Sequence, residues 1–189
     1  MAKILFIHPN KQGHGVTAIW IPSHSAVLKS KGHQVQLFDC TFYKDWTVNE
    51  TQYNTDNLMY KPSDYSNYIN FSENNVFDDL QAQVDEYNPD VIFWAALSSH
   101  IHGEGEYVSI EYGYELAKKL ETDAIKVAGG LQPTASPLGM YDKFPEIDYF
   151  ISGESEFVLA EIADNYNSRE TIENLDGVID VGYKIEKIN

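Results

Sequence analysis

Two histidines and a nearby glutamate form the most polar cluster in this sequence. His100 and His102 follow an apolar run and are separated by one residue, and Glu104 comes two residues later. Imidazole nitrogens and carboxylates bind zinc, copper and iron, so these side chains are candidate ligands of a metal site. A polar loop that caps the following helix explains the same residues, and both interpretations stay open.

Serine and glycine pairs end two other apolar runs of the sequence. Ser98 and Ser99 directly end one run, where their hydroxyl groups can donate hydrogen bonds to a ligand. Gly129 and Gly130 end another, and paired glycines let the backbone press against a large flat or phosphate-bearing group. A plain tight turn is the alternative explanation for the two glycines.

The loop after the first apolar run combines two histidines with glycines. His8 ends the run, and His14 lies between Gly13 and Gly15. The loop has neither the G-x-G-x-x-G dinucleotide fingerprint nor a Walker Gly-Lys-Ser/Thr, so ordinary nucleotide binding is disfavoured. A hydrogen-bonded structural role for His8 and an exposed position for His14 are the alternatives to ligand binding.

Gly153 and Glu154 form a further turn that could contact a ligand. Glycine permits the turn, and the carboxylates of Glu154 and Glu156 are favourable at the start of a helix, which is the competing structural role. The sequence shows no nucleophile elbow with a Ser/His/Asp order and no isolated carboxylate pair. Hydrolase chemistry therefore has little support.

Apolar runs of strand length must position these loops. Their continuous hydrophobicity is typical of strands that are covered on both faces, as in parallel sheets, and helical patterns alternate with them. We predict strands at 3–8, 34–38, 91–97, 125–128 and 148–152, and helices at 22–31, 107–121 and 154–166. This order predicts a doubly wound α/β fold with a mostly parallel five-stranded sheet, whose ligands bind at the carboxyl ends of the strands.

Composition restricts the class of protein. The 189 residues fit one globular domain, and the formal net charge of -16 with a single arginine argues against binding of nucleic acid or an anionic membrane. Cys40 is the only cysteine, which excludes an internal disulfide and every multi-cysteine metal site in this chain. The sequence begins with no signal-peptide pattern and has no run of about 20 apolar residues. We expect a cytoplasmic protein that acts on small molecules.

Two segments depart from the alternation of strands and helices. Residues 41–75 form an irregular insert rich in Tyr, Asn, Ser and Asp, which is either a cap over the site or surface decoration. Residues 172–189 read as a linker or edge strand, because Val181, Tyr183 and Ile185 alternate with polar residues. One domain, 1–189, contains both segments.

Several stretches together resemble the cobalamin-binding domain at the N-terminus of cobalamin-dependent radical S-adenosylmethionine enzymes. The characteristic pieces are ILFIHPN at 4–10, VAGGLQPT at 127–134 and PEIDYFISGESE at 145–156. Shorter pieces at 25–35, 38–39, 88–92, 117–120 and 136–137 keep the same order. The resemblance covers most of the chain except 41–75, and it rests on order and spacing together.

The resemblance implies a Rossmann-like domain that holds a corrinoid over the carboxyl ends of the strands, with the nucleotide tail beside the sheet. The residues that it implies as cofactor contacts are Asn10, Gly13, Ser98, Ser99, Gly129, Gly130, Gln132, Gly153 and Glu154. Gln132 stands where many relatives have histidine. The Asp-x-His-x-x-Gly motif of methionine-synthase-like domains is absent, so His14 is only a candidate axial ligand of cobalt.

The radical chemistry of that family needs a Cys-x-x-x-Cys-x-x-Cys motif, which one cysteine cannot provide. The iron–sulfur cluster and S-adenosylmethionine would belong to a radical domain in a partner protein or in a C-terminal region beyond these residues. We predict a cobalamin-binding module of a methyltransferase-like enzyme that is not catalytic alone. The alternative is the same fold without cobalamin, acting as a scaffold whose tyrosine-rich insert binds a protein.

Overall fold

A computed structural model describes residues 1–11, 18–47, 68–96 and 110–180 of the chain. Within these residues, strands alternate with helices, as the sequence predicts. The strands are β1 (Lys3–His8), β2 (Gln34–Asp39), β3 (Val91–Ala96), β4 (Ile125–Gly130), β5 (Tyr149–Ile151) and β6 (Val178–Ile179). The helices are α1 (Trp20–Ser30), α2 (Val76–Tyr87), α3 (Ile110–Ala117), α4 (Leu131–Ala135), α5 (Met140–Lys143), α6 (Ser155–Asp164) and α7 (Arg169–Glu173). A short 3-10 turn, Pro137–Gly139, precedes α5.

The strands form one mixed sheet in the order β2-β1-β3-β4-β5-β6. Strands β1 to β5 are parallel, while β6 pairs antiparallel with β5. The chain runs from β1 to one neighbour, β2, and later to its other neighbour, β3. In doubly wound sheets this reversal opens a crevice at the carboxyl ends of the two central strands, where ligands bind.

The prediction of a mostly parallel α/β sheet is confirmed, but the described residues form six strands where we predicted five. The sixth strand has only two residues, Val178 and Ile179, which pair with Ile151 and Phe150. The edge strand that we expected at Val181, Tyr183 and Ile185 falls outside the described residues. Gly129 and Gly130 belong to β4 and pair with Ala95 and Ala96, whereas the sequence suggested that they follow the strand.

Apolar layers cover both faces of the sheet because successive side chains of a strand point to opposite faces. Ile4 and Phe6 of β1 face α1 and α6, whereas Leu5 and Ile7 face α2 and α3. The first layer also contains Trp20, Leu28, Phe93, Leu159 and Ile162, and the second contains Leu80, Ile92, Trp94, Ile110 and Leu116. Burial on both faces explains the continuous hydrophobicity of β1 and β3.

The two ends of the predicted insert meet beside β2. Phe42 accepts a backbone hydrogen bond from Ser72 at 2.7 Å, and Ser72 accepts one from Lys44 at 3.2 Å. The carboxylate of Asp45 accepts from the backbone N–H of Val76 at 3.0 Å and so provides a hydrogen-bond partner for one N–H group in the first turn of α2. These bonds anchor both ends of the insert to the domain, while residues 48–67 lie outside the described parts.

The helix α3 approaches β3 closely at a glycine. A Cβ atom on Gly113 would lie 2.2 Å from Cδ1 of Trp94, well inside van der Waals contact. The indole N–H of Trp94 also donates to the carbonyl of Ile110 at 3.2 Å. Gly113 therefore sets the distance between α3 and the sheet.

No helix in the described ranges has both the length and the apolar character to cross a membrane.

We expect Gly113→Ala to lower the free energy of unfolding by about 2 kcal/mol. Overpacking against Trp94 costs about 1–3 kcal/mol and outweighs the gain of up to about 1 kcal/mol from alanine in a helix. Urea unfolding measures the difference. Gly139→Ala is the matched control, because its nearest contact would be Ser136 Oγ at 3.9 Å, and it should change stability by less than about 0.5 kcal/mol.

Candidate functional site

The candidate site is the edge formed by the carboxyl ends of the parallel strands. Of the predicted contacts, Asn10 follows β1, Gly129 and Gly130 end β4, and Gln132 lies in α4. Gly153 and Glu154 follow β5 and precede α6. The fold thus brings these six residues to one edge of the sheet. The remaining predicted contacts, Gly13, Ser98, Ser99 and the candidate ligand His14, fall outside the described ranges, as do His100, His102 and Glu104.

Asn10 is fully buried between the ends of β1 and β2. Its side-chain amide donates to Thr41 Oγ1 at 3.0 Å. Thr41 in turn donates through its hydroxyl and its backbone N–H to the carboxylate of Asp39. This chain of hydrogen bonds joins the first two strand ends, so the Asn10 side chain has a structural role at the rim of the site.

Lys11 extends the same rim toward α3. Its ammonium group forms an ion pair with Glu115 at 2.7 Å and lies 4.1 Å and 4.6 Å from the ring centroids of Trp46 and Tyr112. The Lys11 side chain is only 14% exposed, so these contacts are shielded from solvent more than surface pairs are. Lys11 therefore connects the end of β1 to α3 across the crevice between β1 and β3.

The ends of β4 and β5 form a continuous floor. Thr134 Oγ1 donates to the carbonyl of Gly130 at 2.9 Å and accepts from the backbone N–H of Gly153 at 2.7 Å. Gly130 and Gly153 both have positive φ angles, +108° and +84°, which glycine adopts without strain. Gln132 Oε1 accepts from the N–H of Ile110 at 2.9 Å and thereby fixes the start of α3.

Gly129 packs inside the domain. A Cβ atom there would meet Ser155 Cβ at 3.1 Å and Phe93 Cε2 at 3.3 Å. Close contact with the first residue of α6 thus explains this glycine, whereas we expected it to contact a ligand. Glu154 precedes α6 and makes no capping hydrogen bond with its side chain, and Glu156 accepts from Ser23 at 2.9 Å.

A buried histidine joins α1 to α6 beneath this edge. The Nδ1 of His24 lies 2.7 Å from the carbonyl of Trp20, and its Nε2 lies 2.7 Å from Ser155 Oγ. Because a carbonyl can only accept, Nδ1 donates, and Nε2 accepts from the serine hydroxyl. The ring also stacks on Phe93 with centroids 5.1 Å apart.

Burial keeps two histidines near this edge neutral. It lowers the pKa of His24 from the ordinary value of 6.5, although the Trp20 carbonyl and the Glu156 carboxylate act in the opposite direction. Burial likewise lowers the pKa of His8, against the charge of Asp39. Neither ring is therefore expected to carry a charge at neutral pH.

The described residues provide no cluster of three His, Cys, Asp or Glu side chains that could hold a metal ion. The hypothesis of a site at His100, His102 and Glu104 concerns residues beyond these ranges and stays a prediction. Cys40 is fully buried after β2, and burial raises the pKa of its thiol, with Asp39 and Asp45 adding to the shift. This thiol is thus poorly suited to act as a thiolate ligand.

Five residues of this edge, two pairs and one single residue, escaped the sequence analysis. Lys11 and Glu115 are 104 positions apart, and His24 and Ser155 are 131 apart, so no local spacing reveals either pair. Thr134 lies in the VAGGLQPT stretch. Its spacing of four residues from Gly130 is the one sequence feature that could have predicted their hydrogen bond.

Comparison with solved structures shows that this chain shares its fold with parts of cobalamin-dependent radical enzymes. The radical S-adenosylmethionine methyltransferase TsrM from Kitasatospora setae, with cobalamin and a [4Fe-4S] cluster bound, matches 95% of this chain with a TM-score of 0.63 and 18% identity. The enzyme OxsB, with aqua-cobalamin and S-adenosylmethionine bound, matches 94% with a TM-score of 0.52 and 12% identity. The predicted resemblance is confirmed at the level of the fold.

The match covers only part of each neighbour. This chain corresponds to 27% of TsrM and 20% of OxsB. No protein-family model matches the sequence, and no curated protein matches it either. At identities of 12% to 18% the similarity concerns the fold, and residue roles must come from the geometry of this chain.

Thr41→Val tests the junction between β1 and β2. The substitution keeps the shape but leaves Asn10 and Asp39 without the hydroxyl, which should cost about 2 kcal/mol. Thr41→Ser retains the hydroxyl and loses one methyl group, which should cost about 1 kcal/mol or less. Urea unfolding of the two variants compares them. Equal midpoints would show that the hydroxyl contributes nothing.

The neutral histidines predict a pH dependence of stability. As the pH falls below 6.5, the unfolded chain gains protons before the folded chain does, because the folded-state pKa of His24 is lowered. Stability should therefore fall from pH 7.5 to 5.5, and His24→Asn should reduce this slope by up to about 1.4 kcal/mol per pH unit. Urea midpoints at both pH values measure the slopes. Identical slopes in the two proteins would contradict a buried, neutral His24.

Proposed function

We propose that this chain is a cobalamin-binding module that works with a radical S-adenosylmethionine domain. The observation that carries the proposal is the fold match over 95% of the chain to TsrM in its form with cobalamin and a [4Fe-4S] cluster bound. The radical domain would come from a partner protein or from a further region of the same protein. A methyltransferase-like activity belongs to that assembly.

The carboxyl edge of the sheet suits a large, flat ligand with amide side chains. A Cβ atom on Gly153 would meet nothing within 4 Å, so the space beside this turn is open, and the Thr134 hydroxyl holds the floor in place. Leu131 and Phe157, at the starts of α4 and α6, are 54% and 65% exposed. Exposed apolar side chains beside open backbone fit the apolar face of a corrin ring.

Specific groups of this chain would hold the cofactor. The backbone at Gly130 and Gly153 would face the ring, and the Gln132 amide nitrogen would donate to a corrin side chain while its oxygen caps α3. A bound corrinoid supplies cobalt, which carries a methyl group or accepts electrons. The protein binds and orients it and limits access of water from the side of the sheet.

The composition of the chain supports a separate radical domain that contributes the iron–sulfur cluster. One buried cysteine cannot ligate an iron–sulfur cluster, so the protein that cleaves S-adenosylmethionine must contribute the cluster. The acidic charge of -16 favours a partner with a basic surface.

An anaerobic titration with hydroxocobalamin tests the proposal. We expect stoichiometric retention of colour through a desalting column and a changed visible spectrum. Leu131→Asp should weaken binding about tenfold, because the corrin would cover a carboxylate in place of an apolar group. Leu37→Asp is the matched control, since Leu37 is 41% exposed on edge strand β2 and lies away from the loops, and it should bind like the unmodified chain.

Loss of the cofactor during desalting, with an unchanged spectrum, would contradict cobalamin binding by this chain. The alternative, a scaffold with the same fold, would then be favoured. A pull-down with and without residues 48–67 would test it, because the bonds between Phe42, Lys44 and Ser72 close the base of the insert and allow its removal.

A further inference from the structure

A buried tyrosine at the start of β5 has a hydroxyl group without a hydrogen-bond partner. Tyr149 is 2% exposed, and its hydroxyl bonds to no other group in the described parts of the chain. A nearby tyrosine shows the usual arrangement, since the Tyr141 hydroxyl lies 2.8 Å and 2.9 Å from the carbonyls of Asp148 and Ile179. Most buried polar atoms are paired in this way, because an unpaired one loses its bonds to water without replacement.

Tyr149 lines a cavity of about 400 Å³ at the amino end of β5, which we call the β5 cavity. Its walls come from the loop before β5, from α7 and from the end of β6. This volume is in the range of small-molecule sites, and the Arg169 side chain in its wall is 69% exposed, so solvent reaches the cavity. The β5 cavity lies at the end of the sheet opposite to the carboxyl edge.

The charged groups of the β5 cavity are mostly carboxylates. The single guanidinium, that of Arg169, bonds to Asp148 at 3.1 Å, and this pair is neutral as a unit. Glu146, Glu173 and Asp180 add three further carboxylates from three different elements. In the described ranges, neither a cation nor a hydrogen-bond donor pairs with Asp180. The cavity therefore has an excess of negative charge that favours a cationic ligand.

These charges act on the Tyr149 hydroxyl. Burial raises the pKa of this group above its ordinary value of 10.0. The charge of Arg169 lowers it, whereas the carboxylates of Glu173, Asp148 and Asp180 raise it further. The hydroxyl is therefore neutral at physiological pH, and its oxygen can accept a hydrogen bond. An ammonium group in the cavity has three donors, enough for this oxygen and for carboxylates beside it.

We propose that the β5 cavity binds a small molecule with primary ammonium groups, of which a short alkyl diamine is the simplest. One ammonium group would donate to the Tyr149 hydroxyl and to Asp180, and the second would pair with a carboxylate of another wall. An organic cation fits better than a metal ion, because the described residues form no cluster of three His, Cys, Asp or Glu that could hold one. This site uses no residue of the carboxyl edge and is independent of the proposed cobalamin binding.

Two pairs of variants test the assignment by calorimetric titration with putrescine and cadaverine at physiological ionic strength. Tyr149→Phe removes the hydroxyl without changing any charge. Its matched control is Tyr87→Phe, which removes another buried tyrosine hydroxyl at the end of α2, away from this cavity. Asp180→Asn removes one negative charge from the β5 cavity. Its control, Asp123→Asn, makes the same change in the acidic cavity that lies before β3 and β4.

We expect one diamine to bind to each chain. Tyr149→Phe should weaken binding about tenfold, because a hydrogen bond from a charged donor is lost, and Asp180→Asn should weaken it by a similar factor. Both control variants should bind like the unmodified chain. Without ligand, the urea midpoint of Tyr149→Phe should stay equal or rise, because the variant removes an unpaired hydroxyl from the interior.

Four outcomes would overturn the assignment. Equal affinities of Tyr149→Phe and the unmodified chain would show that the hydroxyl is not part of a site. Equal losses in Asp180→Asn and Asp123→Asn would show only a general attraction of diamines to an acidic protein. A lower urea midpoint of Tyr149→Phe would reveal a partner for the hydroxyl within the protein. Absence of diamine binding by the unmodified chain, checked by equilibrium dialysis, would also reject the site, and the cobalamin titration would be unaffected.

Discussion

The contact between Trp94 and Gly113 determines how the centre of this fold is arranged. Trp94 is fully buried in β3, and its indole occupies the space where any side chain larger than that of glycine would stand on α3. The same indole donates to Ile110, whose N–H is held by Gln132. The start of α3 is thereby fixed from both β3 and α4. Lys11 ties the end of β1 to the same helix through its ion pair with Glu115.

Much of the fold follows from the sequence because its core strands are buried on both faces. Continuous apolar runs located β1 and β3, and α1 ends at Ser30, close to the predicted end at residue 31, where Gly32 with a φ of +86° follows. The failures concern tertiary pairing. Strand β6 has two residues, too few for any periodicity, and exists because β5 offers a free edge. Gly129 and Gly130 looked like a turn because glycine is rare in strands, yet they belong to β4, and a Cβ atom at Gly129 would stand only 3.1 Å from Ser155 Cβ.

The candidate site was only partly accessible to sequence reasoning for a similar reason. Glycine and polar residues at strand ends predicted its position, because parallel strands bring their carboxyl ends to one edge. Some of these residues make structural hydrogen bonds within the domain: Asn10 bonds to Thr41, and Gln132 caps α3 with its oxygen. These hydrogen bonds join residues that are distant in sequence, so local patterns do not reveal them. Gly153, in contrast, has open space beside its backbone, and the local sequence is enough to identify a glycine turn of this kind.

Electrostatics favour the carboxyl edge over the cavities at the opposite end of the sheet. One cavity of about 520 Å³ lies before β3 and β4, and another of about 400 Å³ lies before β5. Both linings carry several carboxylates: Asp85, Asp90, Glu121 and Asp123 in the first, and Glu146, Asp148, Glu173 and Asp180, with Arg169 beside Asp148, in the second. Helix α2 also ends at the first cavity, so its dipole adds negative potential there. A cofactor with a phosphodiester would be repelled from these cavities, whereas the positive dipole ends of α1 and α6 lie at the carboxyl edge.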